Sequence, residues 1–356
     1  MGTSVNLDFY KGKSVFVTGH TGFKGSWLCY LLASSGAAVT GYSLTPPTEP
    51  SLFEIADIGH LDGVASVIGD IRDYSSLKSA FDRAQPEIVI HMAAQPIVRD
   101  SYVDPAYTYE TNVMGTVNIL ECVRNTGCVR SFLNVTTDKV YLNREQQRGY
   151  TESDELDGYD PYSNSKSCSE LVTRTYRRCF PENFPAVSTA RAGNVIGGGD
   201  FAHDRIIPDC VRTALSGGDI IIRNPRSTRP FQHVLEPLCA YLMIAQKQYD
   251  DPSLAGSYNV GPDVNDCITA GRMADLFVKY WGDGLRWKDL SDNGPHEAGF
   301  LHLDCTLLKD TFGWRPYWDI ETAVQKTVEW YRIWHDGGNV PECMNAQIRE
   351  YLSSWE

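Results

Sequence analysis

The sequence predicts an α/β fold: a Rossmann-type doubly wound parallel sheet with a smaller, irregular C-terminal lobe. Three observations carry that expectation. Short apolar runs alternate with helical patterns through the first half of the 356 residues, and strands alternating with helices of that length require crossover connections and hence parallel pairing. A glycine-rich turn joins the first apolar run to the first helix. After about Arg191 the pattern loosens into Gly- and Pro-punctuated segments, GNVIGGGD, RNPRSTRP, NVGPD and DNGPHE.

Taken in order, Lys13 to Thr18 reads as a buried strand, Lys24 to Ser35 as a helix and Ala37 to Ser43 as the second strand, a βαβ unit. Further strands are expected at Ala65 to Ile68, Ile88 to His91 and Arg130 to Thr136, with helices between them near Tyr74 to Arg83 and Tyr107 to Arg124. The tail from Ile320 to Trp334 has helical periodicity and is expected to close the chain. Residues 1–190 are expected to form the sheet domain, with 230–250 returning to it, and 191–356 mainly the second lobe.

Composition narrows the function classes. With 42% hydrophobic and 22% charged residues, the chain can bury real cores. No stretch reaches the roughly 18 apolar residues of a membrane span, and the first residues lack a signal-type apolar run, so a cytoplasmic protein without a membrane partner is expected. The ten cysteines show no C-x-x-C spacing and read as reduced thiols. A net charge of −13 argues against nucleic acid, whose binding rests on many Lys and Arg contacts to phosphate. His296 and Glu297 with His302, Asp304 and Cys305 match no standard zinc spacing, so no metal is expected.

The turn Gly19-His-Thr21-Gly22-Phe23-Lys24-Gly25 has G-x-x-G-x-x-G spacing between a strand and a helix. Glycines serve there because a diphosphate must approach the backbone and the free N–H groups of the helix start. Downstream, Asp70 and Ile71 follow the third strand, where they would flank an adenine, and Ala93 and Ala94 end the fourth beside the expected nicotinamide path. The second strand ends Gly-Tyr-Ser43 without the acidic residue usual for NAD. Lys24 is the one nearby cation suited to a 2′-phosphate, so these residues leave NAD and NADP open.

Tyr162 and Lys166 stand four apart, on one face of a helix. A phenol with an unperturbed pKa near 10 acts as a base at neutral pH only when a cation stabilises its anion. Thr137, between the glycine turn and this pair, completes the set.

Through TGHTGFKG, GDIRD, HMAAQP, TTDK and YSNSK the sequence resembles the extended short-chain dehydrogenase/reductase family. It is similar to that family's CDP-glucose 4,6-dehydratases nearly end to end, through VFVTGHTGFKGSWL, PSLFE, HMAAQPIVR, TNVMGT, GYDPYSNSK, RAGNVIGGGD, IIRNP, RPFQHVLEPL, PHEA and LDC. The resemblance implies an NAD-dependent dehydration of a nucleotide hexose, CDP-D-glucose to CDP-4-keto-6-deoxy-D-glucose. Tyr162, Lys166 and Thr137 would serve C4 oxidation, and Asp138 and Lys139 the loss of water across C5 and C6. Elimination needs an acid and a base that C4 redox chemistry alone does not. The alternatives are a 4,6-dehydratase of another nucleotide sugar, a 4-epimerase, which typically lacks the charged pair, or a non-enzymatic dinucleotide sensor.

The resemblance also implies cofactor contacts from Gly19, Thr21, Gly22, Phe23, Lys24, Gly25, Ser43, Asp70, Ile71, Ala93, Ala94, Asn112, Tyr162 and Lys166. Substrate contacts would come from Gln95, Arg99, Asn194, Arg205, Arg223, Arg229 and His296, with Arg191 in the same diphosphate grip. A homodimer would form through the helices around Tyr107 to Arg124 and Tyr162 to Cys179. Departures from the pattern, Phe201, Phe231 and Ser167, are expected to retune base or sugar recognition.

Overall fold

Alternation along each strand sets the layers. In the computed structural model, which describes residues 5–146, 148–180, 184–290 and 301–354, Val15 and Val17 face one core and Phe16 the other. Ile88 and Ile90 against Val89 repeat the split, as the two-residue period of a strand requires. The strands are β1 (Ser14–Thr18), β2 (Ala38–Ser43), β3 (Val64–Ile68), β4 (Ile88–His91), β5 (Ser131–Thr136), β6 (Ala186–Ala192) and β7 (Ser257–Val260). They form one parallel sheet in the order β3-β2-β1-β4-β5-β6-β7. The order reverses between β1 and β4, the switch point at which such sheets open a crevice at their C-terminal ends.

The helices that matter here are α1 (Phe23–Ser34), α2 (Tyr74–Ala84), α3 (Gly115–Arg124), α4 (Pro161–Cys179), α5 (Leu235–Asp250), α6 (Ile320–His335) and α7 (Val340–Ser353). The larger core joins α1, α5, α6 and α7 to one sheet face, and the smaller joins α2 and α3 to the other. Helix α5 lies against β4, β5 and β6, where Gln248 donates to Ser131 Oγ (2.8 Å) and Phe132 O (3.0 Å).

Two expectations need correction. The helix expected from Tyr107 starts at Pro105 and passes through a π-helical stretch, Glu110–Met114, before α3. The chain does not close at Trp334. A Pro341-containing start capped by Asn339 launches α7, whose buried Val340, Cys343, Met344, Ile348 and Tyr351 recur at helical spacing. Among the described residues no helix is long and apolar enough to cross a membrane.

Glu236, buried in the first turn of α5, fastens the C-terminal helices. Its carboxyl accepts the backbone N–H groups of Tyr317 (2.9 Å) and Trp318 (2.7 Å) and the hydroxyl of Tyr351 on α7 (2.7 Å). Burial raises its pKa to about 7 despite those donors. Glu236→Ala strands them at about 1–3 kcal/mol per stranded group, so its urea midpoint is expected well below that of Glu236→Gln; equal midpoints would show that the carboxyl fastens nothing.

Candidate active site

At the switch point the backbone comes unusually close to itself. Gly19 has φ +78°, and a Cβ there would stand 2.9 Å from Ala93 N. A Cβ on Gly25 would stand 2.1 Å from Gly19 O. Gly22 begins α1 with no side-chain cap, leaving its first N–H groups for an anion. Thr18 Oγ1 locks the two strands, accepting from Met92 N (3.0 Å) and Ala93 N (3.1 Å). Thr21 donates to Leu44 O and lies 2.9 Å from Ser43 Oγ at the end of β2. The Cβ-free cradle fits a dinucleotide diphosphate. His20 turns away from it, to Ser66 (2.7 Å) over Gly41, and burial lowers its pKa to about 4.

At the end of β3, Asp70 binds Arg72 (2.7 Å) and Ile71 packs on Gly115. Ala93 and Ala94 line the half-buried end of β4. Three expected contacts are corrected by where their atoms point. Lys24 does not face the β2 end, where a 2′-phosphate would sit; it lies over Tyr241 (5.9 Å to the ring centre) and feels the charges of Asp138, Asp200 and Arg205. Asn112 accepts from Gln95 N (2.8 Å) and donates to Gln95 O and Ser165 Oγ, which uses its amide fully. Gln95 spends its own amide on Ile97 N, Ile97 O and Thr108 Oγ1. Both side chains hold loops together through these bonds.

The reactive groups collect where β5 ends and α4 begins. Asp160 caps α4 by accepting from Ser163 N (2.9 Å), and Pro161 follows at the first helical position, a start written into DPYSNSK. Tyr162 and Lys166 share one face, as their spacing predicts. Tyr162 lies near Thr137, and burial raises its phenol to about 12 against the opposing pull of that hydroxyl and of the Arg205 charge. Lys166 is 4% exposed and donates to Val135 O (3.2 Å). Desolvation first, then Lys24, lowers its pKa to about 7, while Glu170 raises it.

Asp138 is wholly buried beside them. Its Oδ1 accepts from Thr137 (2.9 Å) and Lys139 Nζ (3.5 Å), whereas Oδ2 has no partner among the described residues. Gly193 covers that oxygen, and a Cβ at 193 would stand 2.1 Å from it. An unsatisfied buried carboxylate oxygen is costly. Lys139 is 31% exposed, on the open side. Asn194, next to Gly193, has φ +28° and a likewise unpartnered Oδ1.

Of the expected phosphate grip, Arg205 pairs with Asp200 (2.8 Å) close to Tyr162. Arg99 (3.4 Å) and Arg223 (3.9 Å) both approach Asp204 Oδ1. Arg229, 8% exposed, donates to Thr228 O. Arg191 is corrected: it is buried and paired with Glu170 Oε2 (2.9 Å), behind the site. Phe201 packs against Trp330, Tyr331 and Trp334, and Phe231 is core, so neither departure faces a ligand. Ser167 donates to Val140 O (2.7 Å) and accepts from Gly158 N (3.0 Å), pinning the turn after Lys139 to α4. His296 and Glu297 lie outside the described residues. The sequence reading missed Glu170, whose signal was its position one helical turn beyond Lys166.

Comparison with known proteins shows the family and the fold. Residues 16–327 match the family described as GDP-mannose 4,6 dehydratase. The chain is 46% identical over 357 aligned residues to the CDP-glucose 4,6-dehydratase of Salmonella typhimurium, covering 98% of this chain and 99% of that one. It is 26% identical to a dTDP-glucose 4,6-dehydratase of Shigella flexneri, over 89% and 92% of the two chains. Among solved structures, dTDP-glucose 4,6-dehydratase from Bacillus anthracis in complex with NAD superposes with a TM-score of 0.76 at 22% identity, over 92% of this chain and 99% of that one. DesIV, a dTDP-glucose 4,6-dehydratase from Streptomyces venezuelae with NAD bound, gives 0.78 at 24% identity over the same shares.

The lid on Asp138 is directly checkable. Gly193→Ala overpacks the carboxyl and is expected to cost about 1–3 kcal/mol, read as a lower urea midpoint. An unchanged midpoint would mean that Asp138 has room to move.

Proposed function

The chain belongs to the GDP-mannose 4,6 dehydratase family, and we propose that it converts CDP-D-glucose to CDP-4-keto-6-deoxy-D-glucose. The observation that carries this reading is the buried Asp138 held by Thr137 and Lys139, with one carboxyl oxygen unpartnered among the described residues, near Tyr162. A 4-epimerase would have no use for that extra acid and base.

NAD is the proposed cofactor, cradled by Gly19, Gly22 and Gly25; with Lys24 turned to the catalytic end and Arg72 committed to Asp70 and Glu110, neither serves a 2′-phosphate. When bound it supplies the acceptor for the C4 hydride and the donor for C6. Tyr162 removes the O4 proton, with Lys166 and Arg205 as cations that stabilise its phenolate. Thr137 orients the phenol. Oxidation at C4 acidifies C5–H; with the proton shared by the Lys139–Asp138 pair resting on the carboxyl, Lys139 takes the C5 proton as a neutral amine and Asp138 protonates the departing O6. Asn194, Arg99, Arg205, Arg223 and Arg229 are assigned to the sugar and diphosphate, the planar guanidinium suiting phosphate oxygens.

Residues 1–190 with 230–250 are assigned to the cofactor half of a cytoplasmic enzyme and 191–356 mainly to the nucleotide-sugar half, except that Ser257–Val260 completes the sheet and α6 and α7 pack in the core on its face. A homodimer through α3 and α4 is proposed from the exposed Met114 and Leu171. Sedimentation is expected to give twice the chain mass, and Leu171→Glu to halve it; a wild-type monomer would refute the dimer.

The chemistry is tested by mass spectrometry with NAD and a panel of CDP-, dTDP-, UDP- and GDP-hexoses in deuterated water. Loss of one water from the CDP-glucose, with one deuterium gained at C5, is expected; a C4 epimer without mass loss would mean an epimerase. Asp138→Asn is expected to lower dehydration by about 10²–10⁴-fold while C4 oxidation persists as NADH absorbance. In Lys139→Met, C5 solvent exchange is expected to stop; exchange at the normal rate would exclude Lys139 as the base.

A further inference from the structure

The side of α4 that meets β5 and β6 is buried yet polar: Lys166, Ser169, Glu170 and Thr173 all bond those strands. Glu170 is the centre of that face, 1% exposed. It accepts from Thr136 (2.5 Å) on β5, Thr189 (2.7 Å) on β6 and Arg191 (2.9 Å) on β6. Thr136 is the residue before Thr137, Arg191 is two before Gly193, and Glu170 stands one turn from Lys166. Arg191 in turn donates to Tyr141 OH (2.8 Å) and Glu152 O (3.2 Å). The carboxylate therefore ties the helix of Tyr162 and Lys166 to the strand end of Thr137, Asp138 and Lys139, and to the lid over Asp138.

We propose that Glu170 is a positioning residue for the reaction: it keeps Lys166 cationic beside Tyr162, and Arg191 limits how strongly it does so. The inference rests on the dehydratase reading for the use made of Lys166. The titratable groups that act on that ammonium are Lys24 from α1, His91 from β4 and Glu170 from its own helix, on which Tyr162 stands one turn before Lys166. His91 is kept neutral by burial, Tyr162 is neutral before reaction, and Lys24 opposes the charge. Glu170 is the anion among them, and burial makes its field effective at this range. Arg191, on the far side of the same carboxylate, offsets part of that field. Removing the two partners should therefore move Lys166 in opposite directions, which a purely structural role for the pair would not do.

The test follows Lys166 by NMR titration of enzyme with ¹⁵N-labelled lysine side chains, the signal assigned by its loss in Lys166→Arg. Glu170→Gln is expected to lower the Lys166 midpoint by about one pH unit or more, a tenfold loss of cation at a given alkaline pH. Arg191→Gln, which keeps a donor to Glu170 and Tyr141, is expected to raise it. The alkaline limb of kcat with CDP-glucose should move with each midpoint while KM stays within about threefold. Midpoints unmoved in both variants would overturn the proposal, and if Glu170→Gln does not fold, an unmoved midpoint in Arg191→Gln does so alone. Midpoints that shift as expected in an enzyme inactive on CDP-glucose would sustain the role of Glu170 and overturn the substrate reading instead.

Discussion

Helix α4 must lie against β5 and β6 in one register, and it does so through hydrogen bonds where most helices use apolar packing. Asn134 donates to Ser169 (2.9 Å) and Thr173 (2.8 Å), Thr136 to Glu170, and Lys166 to Val135 O. Apolar contacts are non-directional and tolerate a slide along the groove; a row of buried donors and acceptors does not, since any slip leaves them unsatisfied. A buried ion pair such as Glu170–Arg191 carries a desolvation penalty that its Coulomb attraction recovers only with good geometry and further hydrogen bonds. Here two threonines and a tyrosine supply them.

That register is what gives the catalytic groups their different environments. Within a few residues the chain holds a phenol raised to about 12 and an ammonium lowered to about 7, both mainly by burial. Asp138 is placed by contrast: one oxygen is held by two donors and the other is closed in by the bare Cα of Gly193. A side chain at 193 would close the space, so glycine serves there for lack of a Cβ and not for its φ. The same steric reason recurs at Gly25 against Gly19, where backbone meets backbone.

The positions at which the sequence departs from its family pattern land in packing. Phe201 joins an aromatic cluster with α6, Phe231 fills the larger core, and Ser167 fastens Val140 and Gly158 to α4. The buried carboxyl of Glu236 plays a comparable structural part far from the site, gathering two backbone N–H groups and Tyr351 so that α6 and α7 close over α5.

The strands, the glycine turn and the start of α4 were legible in the chain because each is decided locally: by two-residue alternation, by the need for a missing Cβ, and by an Asp-Pro cap. So were Tyr162 and Lys166, whose four-residue spacing fixes a shared face once the helix is granted. Where side chains point across elements was not legible. Arg191 and Arg205 look alike as letters, yet one is spent on Glu170 behind the sheet and the other stands near Tyr162. Lys24 sits in a phosphate-type loop but faces the catalytic end, and the Asn112 amide is spent on the Gln95 backbone and Ser165. Those outcomes depend on partners far away in sequence, brought within hydrogen-bond reach only by the order in which the strands assemble; local pattern reports a residue's element and face, and tertiary structure decides what it meets.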